Sequence, residues 1–108
     1  MWQRLPYLEK NAKEISLISN SINADLYIVI YPWPDSLEYG QRNFHWEKFS
    51  ENLCNEISCK KLINFFPDFK KVRDNSNDWN SQLYISEDLH ITEYGHTIIA
   101  EKLLKELF

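Results

Sequence analysis

LYIVIYPWPDSLEYG, Leu26 to Gly40, is the stretch on which the fold turns. From Leu26 to Tyr31 every residue is apolar, β-branched or aromatic. A strand buried on both faces reads this way, as in a parallel sheet covered by helices. Pro32 and Pro34 end the run, because proline donates nothing to a ladder. Asp35-Ser36-Leu37 comes next, so Ser36 is either a nucleophile at a strand's end or a polar residue in a turn.

Working outward, about Pro6 to Ile22 reads as a helix. Leu8, Ala12, Ile15, Ile18 and Ile22 fall at steps of three and four, Pro6 suits a first turn, and Asn23 marks the stop. Downstream of the Tyr39-Gly40 turn, about Phe44 to Ser58 predicts a second helix with Trp46, Phe49, Leu53 and Ile57 as its apolar stripe. Leu62-Ile63-Asn64-Phe65 is a short second strand closed by Pro67. Strand, helix, strand in this order is a βαβ unit, with a right-handed crossover expected. Residues 70–82 are polar and turn-forming and read as a surface loop. A third helix runs from about Glu93 to Leu107, with Thr92 as N-cap and Ile98, Ile99, Leu103 and Leu107 facing inward. Two strands do not make a stable parallel sheet. The chain is therefore expected either to dimerise through its sheet or to be the C-terminal part of a larger domain.

Composition narrows the function classes. At 108 residues the chain is one domain at most, and 44% hydrophobic with 15% aromatic residues suffices for a single core. A net charge of −4 argues against nucleic acid, whose phosphates call for a basic surface. Lys60-Lys61 and the Lys70, Lys71, Arg73 group read as solvated rims. No apolar run reaches the roughly 18 residues of a membrane span. The N-terminal stretch lacks the apolar region of a secretory signal, and the compartment stays open. Cys54 and Cys59, five apart on the second helix, are expected to be free thiols, Cys54 near the core face. No paired ligand set for zinc is present.

The chemistry gathers in SEDLHITEYGH, Ser86 to His96. In an extended loop, residues i and i+2 point the same way, so Asp88 can lie beside His90. A carboxylate holding Nδ1 sets the tautomer and leaves Nε2 to take a proton from a serine hydroxyl. Such base catalysis is worth about 10²–10⁴ in rate. The plainer alternative is that His90 packs at a helix start and Asp88 is a loop acid. A metal site from Asp88, His90 and His96 is a third possibility. His45 receives no role.

The stretch DLHITEYGHTIIAEKL, Asp88 to Leu103, preceded by IVIYPWP and LINFFPDF, resembles the SGNH (GDSL-type) hydrolase family. The resemblance implies a three-layer αβα fold with a parallel sheet of the SGNH/flavodoxin-like type, here with two strands and three main helices. It also implies an acid and a histidine on the loop before the C-terminal helix, with Gly95-His96 matching a pair that often follows. Asp88 is the favoured acid and Glu87 the reserve, since many family members space acid and histidine by two residues. The family's nucleophile sits in a Gly-Asp-Ser motif after its first strand. Here Pro34 stands in the glycine's place, locking φ and offering no donor. Gly40 and Asn43 crowd into the same loop, whereas the family draws its further oxyanion donors from separate strands. Ser36 then belongs in a turn, the region before it looks like the family's fourth strand, and LINFFPDF looks like its fifth. What the resemblance implies is the C-terminal half of a serine ester hydrolase or acyl transferase acting on carbohydrate, lipid or small esters. No cofactor is needed, and the chain alone is expected to have little esterase activity. Trp33, Tyr39 and Trp79 would suit stacking on a sugar. The competing reading is a non-catalytic interaction domain that pairs through its sheet edges.

Overall fold

The computed structural model describes residues 5–86, 88 and 90–108. The elements run α1 (Leu5–Ser21), β1 (Tyr27–Ile30), α2 (Pro34–Tyr39), α3 (Trp46–Glu56), β2 (Lys61–Asn64), α4 (Phe66–Asn75), α5 (Trp79–Leu83) and α6 (Glu93–Leu107). The chain is an α/β protein, and among the described residues β1 and β2 form a two-stranded parallel sheet. Backbone bonds from Lys60 N to Leu26 O and from Phe65 N to Ile30 O, 2.7 and 2.9 Å, flank the ladder.

The three expected main helices are present, and among the described residues three shorter ones join them. Residues 70–82, read as a loop, instead hold most of α4 and α5. The physical reason lies at Pro67, which sits in the first turn of α4, where its missing N–H costs nothing. Phe66 and Phe69 are buried one turn apart, so the helix has an apolar face that its lysines conceal. Pro34 likewise opens α2 rather than a plain turn.

The chain divides into two compact units. One comprises the chain up to Ile28 together with Trp46–Leu62. In it α3 buries Leu53 and Cys54, and Ile57 just beyond its end is buried as well. Asn23 (φ 55°) ends α1 in the left-handed region, a conformation asparagine tolerates better than most residues. Cys54 and Cys59 are not free thiols: they form a disulfide, with Cα atoms 4.8 Å apart. They meet because the helix stops between them. Ser58 turns left-handed (φ 54°) and Cys59 N donates to Cys54 O at 2.9 Å, a helix-ending turn that folds the chain back.

The other unit comprises Val29–His45 and Ile63–Phe108. Its core is Leu37, Ile63, Phe65, Phe66, Phe69, Leu83, Tyr84 and Ile91. The Phe69 ring meets Tyr31 and Tyr84 at centroid distances of 6.5 and 6.2 Å. Lys102 of α6 reaches the end of β2, donating to Asn64 O at 2.7 Å and Asp68 Oδ2 at 2.6 Å. Leu107, expected to face inward, is exposed at the end of α6.

Candidate functional site

The loop joining α5 to α6 is anchored at both roots. Tyr84 and Ile91 form an antiparallel bridge, and Thr92 N donates to Leu83 O at 2.9 Å. Leu83, Tyr84 and Ile91 are all buried. Above them the loop closes on itself, Ile85 N to His90 O at 2.9 Å and Asp88 N to Ile85 O at 3.0 Å. Buried roots fix the direction in which the tip projects.

Two further features hold those roots. The Tyr84 hydroxyl donates to the Pro32 carbonyl, tying the loop to the segment after β1. Burial, and the nearby Tyr31, push the Tyr84 phenol above its usual range. The stability this adds is whole below about pH 10 and falls as pH climbs toward the raised value, because the unfolded chain ionises first. Gly95 is the second. A Cβ there would stand 2.2 Å from Ile91 Cγ2 and 3.1 Å from Leu83 O, so only glycine lets α6 begin this close. Thr92 caps that helix as expected, its Oγ1 accepting from Gly95 N at 3.1 Å.

At the tip, His90 Nδ1 lies 2.6 Å from Asp88 Oδ1. The same oxygen accepts from His90 N at 3.1 Å. One carboxylate oxygen thus holds backbone and ring together, which restricts the ring's rotation. With Nδ1 as donor, the neutral ring carries its lone pair on Nε2. The His90 side chain is 82% exposed and that of Asp88 47%. A carboxylate–imidazole contact this open is screened by water and worth little by itself. The arrangement can move a proton, but water has full access to it.

The other candidates are placed elsewhere. Ser36 lies in the first turn of α2, its N donating to Trp33 O at 3.0 Å. His96 is exposed in the first turn of α6, and Glu87 lies outside the described residues. Gly40 ends α2 with φ 78°. Trp33 and Tyr39 are exposed, Tyr39 with the Arg42 guanidinium 5.8 Å above its ring, while Trp79 is half-buried. Among the described residues no three His, Cys, Asp or Glu side chains are grouped to hold a metal ion. Nor is any helix there long and apolar enough to cross a membrane. The anchoring by Tyr84 escaped the sequence reading. Its one visible signal was an aromatic directly before the acidic loop.

Compared with protein-family models, characterised proteins and solved structures, the chain has no match.

Proposed function

We propose that this chain carries the acid–base half of a serine ester hydrolase or acyl transferase of the SGNH type, on a frame that becomes three-layered αβα when completed. The single observation that supports it most is the 2.6 Å contact between Asp88 and His90, on a loop rooted in the core just ahead of α6. An attacking serine, supplied by another segment or chain, would give its Oγ proton to His90 Nε2 as the oxygen bonds to the ester carbonyl carbon. Asp88 would stabilise the imidazolium, which then returns the proton to the departing alkoxide. Water would repeat the cycle and release the acid; an acceptor alcohol in its place would make the reaction a transfer. Exposed Trp33 and Tyr39 offer flat faces for a carbohydrate ester. Covering the tip would exclude water and strengthen the carboxylate–imidazole interaction.

The test is turnover of a p-nitrophenyl ester by the protein isolated from its natural host with whatever accompanies it. His90→Ala should lower the rate by about 10²–10⁴, with a smaller loss for Asp88→Asn. Unchanged turnover in His90→Ala ends the catalytic reading.

A non-catalytic interaction role has one observation in its favour. Among the described residues β1 has β2 as its single neighbour in the sheet, which leaves its other edge to pair with a further strand. That reading expects binding to survive His90→Ala.

A further inference from the structure

Helices α1 and α3 end in the same kind of turn. After α1, Ala24 N donates to Ser19 O at 2.8 Å and Asn23 N to Asn20 O at 3.2 Å, with Asn23 left-handed. After α3, Cys59 N donates to Cys54 O at 2.9 Å and Ser58 N to Asn55 O at 3.4 Å, with Ser58 left-handed. This pair of bonds closes many helices, and its left-handed position favours glycine, then asparagine. Serine suits it less, because its Cβ crowds the backbone there. The turns differ in one more respect. Ser19 and Ala24 are joined by a hydrogen bond alone, whereas Cys54 and Cys59 are joined covalently as well. The disulfide thus spans the turn whose central residue suits it less.

That same turn holds α1. Buried Ser16 of α1 donates its Oγ to Ile57 O at 2.8 Å, and Lys13 pairs with Glu56 at 3.5 Å. In the segment after α1, Leu26 O accepts from Lys60 N at 2.7 Å, and Asp25 Oδ2 from Lys60 Nζ at 2.9 Å. These ties land on residues 56–60, across the stretch the disulfide closes. The two ion pairs are exposed and contribute little. The hold rests on the Ile57 carbonyl and the Lys60 amide, whose directions the backbone at Ser58 sets.

We propose that Cys54–Cys59 is a thiol–disulfide exchange site whose state latches or releases α1. The co-reactant is a dithiol. One of its thiolates attacks Cys59 Sγ, in the less buried of the two residues, and expels Cys54 as a thiolate that takes up a proton. Its second thiolate then displaces Cys59, which is protonated in turn. The dithiol leaves as a disulfide, having passed two electrons to the protein. The freed Cys54 thiol has the Cys59 carbonyl 3.5 Å from its sulfur, a weak acceptor contact in place of a covalent link. Ser58 then leaves the left-handed region, Ile57 O turns away from Ser16, and α1 loosens. This rests on the turn after α3 and is independent of the ester-hydrolase reading.

Amide hydrogen exchange of the whole chain, before and after dithiothreitol and without denaturant, tests it. Reduction should speed exchange of the α1 amides about tenfold, the equivalent of one disfavoured left-handed residue, and leave the α6 amides unchanged. Oxidised glutathione should restore the slow exchange. Cys54→Ser combined with Cys59→Ser should exchange like the reduced chain, with or without dithiothreitol. Ser58→Gly should remove most of the response to reduction, because glycine keeps the left-handed turn without the link. A disulfide that dithiothreitol opens only in denaturant overturns the proposal. So do α1 amides that exchange alike in both states, α6 amides that speed up as much as those of α1, or a Ser58→Gly chain that responds to reduction as wild type does.

Discussion

Helices α1 and α3 carry the same sequence signature and bury opposite kinds of face. In α3 the apolar stripe goes inward: Trp46 and Phe49 are half-buried, and Leu53 and Cys54 are buried. In α1 the apolar stripe goes outward, and serines and an alanine take the packed side. Three- and four-residue spacing therefore tells where a helix is, and tells which face is buried only when nothing else competes. The competitor here is polar. The C-terminal carbonyls of α3 need partners, and Ser16 supplies one. Small side chains at positions 12, 16 and 19 suit the packed side; the isoleucines would fill it with bulk.

The contrast can be broken most sharply with a matched pair of truncations. Leu53→Ala should cost about 2–5 kcal/mol in urea unfolding. Ile18→Ala, at a residue that is 62% exposed, should stay within about 0.5 kcal/mol. A large loss at Ile18 would mean that the α1 stripe is covered. Next comes the link that holds the end of α3. Replacing Cys54 and Cys59 with serine should cost about 2 kcal/mol for so short a loop, and reduction of the wild type should match it in thermal melts. Ser16→Ala probes the orientation of α1 itself and should cost about 1 kcal/mol. If Ser16→Ala has no effect on stability, some other contact sets the rotation of the helix. The smallest effect belongs to Lys13–Glu56, 3.5 Å apart and half-exposed on both sides. Lys13→Ala should shift stability by less than about 0.5 kcal/mol, and less again in high salt.

Much of the frame was readable from residue types. The run Leu26–Tyr31 contains β1, the Thr92 cap opens α6, and Asn23 closes the first helix in the conformation its side chain tolerates. The contact of Asp88 with His90 was also readable, since it needs only neighbours two apart on an extended segment. Helices α4 and α5 are not legible in this way, because a proline after an apolar run reads as the end of a strand, and Pro67 also serves as the start of a helix. The disulfide was missed for a related reason. Five residues apart on a continuous helix two cysteines do not pair, and the pairing depends on the turn at Ser58. Gly95 stood out as half of a Gly-His pair, yet its necessity comes from Ile91 and Leu83 pressing against it.

Local chemistry was therefore enough to say which segments become strand or helix, and to bring an acid beside an imidazole. Those outcomes depend on neighbours a few residues apart, whose geometry the backbone sets. Packing decided the rest: which side of α1 meets solvent, that Cys54 and Cys59 join, and that buried Tyr84 and Gly95 steady the loop bearing His90. Each of these is a choice among surfaces brought together from distant positions, and no single segment contains the information to make it.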